Sequence, residues 1–163
     1  MAVVELLLPA EPAHVRTARL VVVMAARRAG LSDGLLDELR LAVGEACARA
    51  VGLHARHRLD ARIEVAVSDD VTGLTVSVTD HGPAAGPAVD DVAGGILDAP
   101  VPGAVVLDGE DVVDPDVALA LLAGLVDEVD VTAGEQAGTT VTMRWPLAAR
   151  IPGGTRPTVD APV

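Results

Sequence analysis

Two short segments fix what this chain can become. Ala61 to Ser68 (ARIEVAVS) and Leu74 to Asp80 (LTVSVTD) alternate apolar and polar residues, and Asp69-Asp70-Val71-Thr72-Gly73 between them is made of turn formers. Successive side chains of a strand point to opposite faces, so the pattern predicts a β-hairpin with one buried face. That face needs a cover, and the preceding residues supply one. Glu11-Pro12 opens a predicted helix whose apolar stripe is Val15, Ala18, Val22 and Ala25/Ala26, with Arg16, Arg19, Arg27 and Arg28 outside and Gly30 as its stop. Ser32-Asp33 caps a second, longer one with Leu35, Leu39, Ala42/Val43, Ala46 and Ala50 on its buried side, ending near His54 to His57.

The rest of the chain extends this plan. Val3 to Leu8 reads as a strand ended by Pro9. From Pro83 to Pro115 the periodicity dissolves into Pro, Gly and Asp, the signature of a lid or a disordered excursion. A third helix is predicted from Asp116 to Val126, with Val117, Leu121 and Leu125 as its stripe. Strands follow at Glu128 to Thr132 and Thr139 to Trp145. Helices gathered on one face of a mixed, mostly antiparallel sheet give an α+β two-layer sandwich. One domain is expected over 1–146, with an acidic, Pro/Gly-rich lid at about 83–115 and a disordered tail over 147–163.

Composition says what the core is made of. Half of the 163 residues are apolar, yet Trp145 is the only aromatic, so Val, Leu and Ala must fill the interior in many small pieces. A single cysteine, Cys47, excludes an internal disulfide and favours a reducing, cytoplasmic setting. The N-terminus has no basic n-region, and the longest apolar run, Leu20 to Ala26, falls far short of the roughly 20 residues a membrane span needs. No membrane association is expected.

Charge is segregated. Residues 1–62 hold nine Arg against seven acids, whereas residues 63–143 hold sixteen acids and no Lys or Arg. Such a surface repels phosphate backbones, so direct nucleic-acid binding is not expected. It has two readings: a solvated face that keeps an apolar protein in solution, or one that steers a protein partner with a basic patch.

Three stretches carry a family resemblance. Leu39 to Val51 (LRLAVGEACARAV), Val76 to Pro83 (VSVTDHGP) and Leu125 to Trp145 (LVDEVDVTAGEQAGTTVTMRW) resemble the ATP-pocket helix, the DxGxG strand and loop, and the closing strands of the Bergerat, histidine-kinase-like (GHKL) fold. Within it, the chain is most similar to the anti-sigma factors with serine-kinase activity, the RsbW/SpoIIAB group, and element order agrees over residues 3–146. The resemblance implies ATP with Mg²⁺ as cofactors, a homodimer, and a sigma factor or a STAS-domain antagonist as partner.

Residue by residue, it makes Glu45 the general base that takes a proton from a serine hydroxyl, and Asp80 the acceptor for the adenine amino group, followed by Gly82. Other positions depart from the pattern. Arg49 stands where an Asn would hold Mg²⁺, Ala84 replaces the second Gly of DxGxG, and the Gly-rich turn before the third helix is Asp114-Pro115-Asp116-Val117-Ala118-Leu119. A guanidinium cannot ligate Mg²⁺. Asp108, Glu110, Asp111, Asp114 and Asp116 would meet the phosphates where bare N–H groups should, and like charges ~4 Å apart cost about 4 kcal/mol at an effective dielectric of ~20. No protein metal site is expected, and nucleotide binding should be weak or absent.

Alternatives stay open at single residues. Arg49 could donate to a phosphate in the metal's stead while pairing with Glu45, or the two could form a simple i, i+4 helix-surface pair. Asp80 before His-Gly-Pro could be only a turn residue. Two functions follow: an anti-sigma-like regulator acting by partner switching with little use of ATP, or an active ATP-dependent serine/threonine kinase that phosphorylates its STAS-domain antagonist.

Overall fold

The computed structural model describes residues 3–83, 106–107, 110–111, 115–133 and 138–147. In chain order the elements are β1 (Val3–Pro9), α1 (Pro12–Ala29), α2 (Asp33–His57), β2 (Arg62–Asp69), β3 (Gly73–Asp80), β4 (Val106–Leu107), β5 (Glu110–Asp111), α3 (Pro115–Leu125), β6 (Glu128–Ala133) and β7 (Thr139–Pro146). Most of the predicted lid, and the predicted tail beyond 147, lie outside the described residues.

Five strands form one sheet in the order β1-β2-β3-β7-β6. Every pairing in it is antiparallel, so the sheet is not mixed. The alternation that predicted the central hairpin also sets its register: Val65 faces Val78 and Val67 faces Val76. Slipping by one residue would turn every apolar side chain to the wrong face. Asp70 holds the turn by accepting from the amides of Thr72 (2.7 Å) and Gly73 (3.1 Å) and from the Thr72 hydroxyl. Those donors favour the charged form and keep the Asp70 carboxyl below its usual range.

The helices cover one face. Ile63, Val65, Val67, Leu74, Val76, Val78, Val141, Met143 and Trp145 point inward, against Ala18, Val22 and Ala26 of α1 and Leu39, Val43, Ala46 and Ala50 of α2. Pro12 starts α1, and Gly30 ends it in the left-handed region at φ 96°, its N–H reaching the Ala26 carbonyl. Ser32 occupies the N-cap of α2, although its side chain makes no capping hydrogen bond. Trp145 is the largest buried side chain, and its indole N–H donates to Glu38 Oε1 at 2.8 Å, tying β7 to α2. Among the described residues no helix is long and apolar enough to cross a membrane.

Two details differ from the sequence reading. In the first turn of α2 it is Leu36, rather than Leu35, that is fully buried. In α3 two of the three predicted stripe residues face outward: Val117 and Leu121 are 41% and 47% exposed and only Leu125 packs against the core, while Ala118, Leu119, Leu122 and then Val126 are buried. From Val117 to Leu125 every residue but Gly124 is apolar, so no polar residue marks the outer face. Packing against α2 and the core makes the choice.

Cys47 is fully buried in the α2 stripe. Burial pushes its thiol up to about 12, against a smaller opposing pull from the Arg19 guanidinium. The native thiol therefore stays neutral while an unfolded one ionises near 9.0. The stability this contributes is complete below pH 9.0 and is lost as pH climbs toward 12.

Two outcomes follow. Leu122→Ala should lower unfolding free energy by about 2–5 kcal/mol and Leu121→Ala by no more than ~0.5 kcal/mol, read by urea denaturation with circular dichroism. A thiol reagent at pH 8 should leave the native protein unmodified and label Cys47 fully once urea unfolds it.

Candidate functional site

The inward row of β3 runs Leu74, Val76, Val78 and then Asp80, because the same two-residue period that buries three apolar side chains buries the fourth position too. A carboxylate at the end of an apolar row needs a partner. Arg49 of α2 provides it: Nη1 donates to Asp80 Oδ2 at 2.6 Å, and both side chains are 1% exposed. The second oxygen, Oδ1, accepts the Gly82 N–H at 2.8 Å.

Arg49 therefore lies in the buried stripe, between Ala46 and Leu53, and not on the helix surface. The i, i+4 pair with Glu45 is not made, which removes both the helix-surface pair and the Glu45 contact of the arrangement in which Arg49 would donate to a phosphate. Sequence spacing placed Glu45 and Arg49 within reach of each other, but the uncompensated carboxylate beneath the helix attracts the guanidinium more strongly than a half-exposed one. Glu45 is half-buried and makes no hydrogen bond among the described residues. The pairing around Arg49 is incomplete, since its Nε is buried without a hydrogen-bond partner.

A second side chain of α2 holds the exit from β3. His54 is 1% exposed; its Nδ1 lies 3.1 Å from the Ala61 carbonyl, and its Nε2 accepts the His81 N–H at 3.0 Å. These roles describe the neutral ring with its proton on Nδ1. The helix thus grips residues 80–82 through Arg49 and His54, while Leu53 packs under Gly82. The sequence reading placed His54 only at the end of the second helix and missed this role. The signal was its place four residues beyond Ala50, on the buried stripe.

β7 closes the far side. Gly138 has φ 105°, and a Cβ there would stand 2.2 Å from the Asp80 carbonyl oxygen, so only glycine lets the two chains approach this closely. Thr139, next to it, is buried. Of the predicted site residues, Arg49, Asp80 and Gly82 are brought together; Glu45 stays one turn of α2 away from Arg49.

Residues 8–145 match the family described as histidine kinase-like ATPase domain, which covers most of the chain, and the chain belongs to that family. No curated protein matches it significantly.

Membership makes ATP with Mg²⁺ the cofactor to test against these residues, and they do not fit it. Asp80 Oδ2 is held by a charged donor, and charge-assisted hydrogen bonds are roughly twice as strong as neutral ones, so an amino group offers a poorer bond than the one it would displace. The guanidinium itself is no Mg²⁺ ligand. The Asp80 carboxylate is sealed, with one oxygen held by Arg49 and the other by the Gly82 N–H.

Buried pairs fail asymmetrically: losing one partner strands the other's charge. Arg49→Met should cost about 3–5 kcal/mol in chemical denaturation, while Arg49→Met combined with Asp80→Asn, which keeps an acceptor for Gly82 N–H, should recover more than half of that loss.

Proposed function

We propose that this histidine kinase-like ATPase domain is a regulator that binds a sigma factor or a STAS-domain antagonist and exchanges partners with little or no dependence on ATP. The observation that carries the reading is the buried Arg49–Asp80 pair, in which the residue that resemblance gives to adenine recognition is already committed to an internal cation. A domain whose base-recognising carboxylate is spoken for keeps the scaffold of its family and loses its reason to cycle nucleotide. The scaffold would act in the cytoplasm, as a homodimer.

The helical face supports a protein partner. Between α1 and α2 lies a groove of about 240 Å³ lined by Arg16, Arg19, Leu20, Val23 and Arg40. Leu20 and Met24 are 58% and 71% exposed beside it. Of the three arginines, Arg40 is shared with Asp37 at 2.8 Å. An apolar floor with a cationic rim suits an acidic segment of a partner carrying an apolar anchor, a local preference distinct from that of the acidic remainder of the chain. Steering by such charges should weaken as salt rises.

The competing reading, a working serine/threonine kinase with Glu45 as its base, predicts the opposite nucleotide dependence. Binding of purified sigma factor and STAS-domain protein should be measured by interferometry with and without Mg-ATP. The expected result is one binding partner whose affinity changes by less than about twofold, well inside the ~1.4 kcal/mol of a tenfold step. Phosphorylation of the STAS-domain protein on a serine, or binding that requires Mg-ATP, overturns the proposal.

A further inference from the structure

Helix α2 fastens the end of β3 through an imidazole whose proton has only one place to sit. His54 is 1% exposed, and both of its ring nitrogens face main-chain groups of fixed polarity. Nδ1 lies 3.1 Å from the Ala61 carbonyl, which can only accept; Nε2 lies 3.0 Å from the His81 N–H, which can only donate. The neutral ring with its proton on Nδ1 satisfies both. A second proton has to enter at Nε2, where it meets another N–H head on. The bond to His81 is then lost, and a main-chain N–H is left without its acceptor.

From this we infer that His54 is a proton-operated latch on the end of β3, closed while the imidazole is neutral and open once it is protonated. His81 gives the open state somewhere to go. Its side chain is 42% exposed, its ring centre lies 6.1 Å from that of His54, and its Nε2 stands 3.8 Å from Glu64 Oε1. As a cation His81 pairs with that carboxylate. Acid therefore breaks the amide bond on the inside and draws the ring outward at the same time. Residues 81 and 82 are then held to α2 only through the Arg49–Asp80 pair and the packing of Leu53 under Gly82.

The surroundings set the balance. Burial opposes a charged ring, whereas the last turn of α2, to which His54 belongs, favours a cation through its carbonyl end. On α2 itself the Arg49 guanidinium is answered by Asp80 at 2.6 Å, and Arg56, His57 and Arg58 are exposed. The turn before β2 and the strand bring Asp60, Arg62 and Glu64, all exposed. The first turn of α1 brings His14, whose ring lies 3.9 Å from Glu11, and α3 carries no titratable side chain from Val117 to Leu125. Among the described residues no carboxylate pairs with His54, so nothing inside compensates its charge once the ring is protonated. The hold on β3 is therefore present in neutral solution and is lost as pH falls.

Amide hydrogen exchange at about pH 8 and about pH 5, the range over which imidazoles change charge, tests the latch on the full chain. After correction for intrinsic rates, the His81 amide should lose at least about tenfold of its protection at the lower pH, relative to Val78 in the same strand. His54→Gln offers an amide oxygen as acceptor near the place of Nε2 and takes up no proton, so its His81 amide should keep its protection within about twofold. His81→Asn keeps the amide and removes the outer ring, and should still open in acid. Long-range ¹H–¹⁵N spectra of the wild-type imidazoles should show His54 passing from the Nδ1–H tautomer to the cation as the amide opens, a readout that needs no variant. Unchanged protection across the pH range, an equal loss at Val78, or opening while His54 stays neutral overturns the inference. So does opening that persists in His54→Gln or vanishes in His81→Asn.

Discussion

A carboxylate buried at the end of an apolar row, answered by a guanidinium from the helix above, organises this molecule. Charges taken out of water repay their desolvation only through good pairing, and this pair has one short bond and one orphaned N–H. Such an arrangement is weak evidence of selection for stability. What the pair does fix is geometry: it ties the end of β3 to the middle of α2.

The surroundings of the pair explain why the carboxylate stays put. The period of two along β3 carries Asp80 inward after Leu74, Val76 and Val78, and a charged residue cannot leave that face without breaking the register with β2 and β7. His54 and Gly138 then fix the turn from two sides, one through the His81 amide and one by allowing β7 to come close. Helix α2 is the common element. It supplies the buried stripe that holds the sheet, the cation that closes the site and the imidazole that fastens the end of β3.

How much of this was legible in the sequence depended on contrast. Where polar and apolar residues alternate, as in β2 and β3, the element, its register and its buried face could all be read. The two long helices showed the same clarity because Arg16, Arg19, Arg27 and Arg28 mark the outside of α1 and the small apolar stripe marks the inside of α2. Contrast failed in α3, where Ala and Leu fill nearly every position and only packing decides which of them face inward. The site was half visible. Asp80, Gly82 and Arg49 stood out by resemblance, but the pairing of Arg49 could not be read, because spacing along a helix offers Glu45 and says nothing of a strand thirty residues away. His54 was hidden for the same reason: its two hydrogen-bond partners, Ala61 and His81, come from different parts of the chain.

The indole of Trp145 ends up hydrogen-bonded to Glu38 near the start of the same helix that carries Arg49. With no other Trp and no Tyr in the chain, all near-ultraviolet emission comes from this one ring. Any separation of the start of α2 from β7 breaks that bond and wets the ring, so the colour of a single fluorophore becomes a gauge of whether helix and sheet stay together.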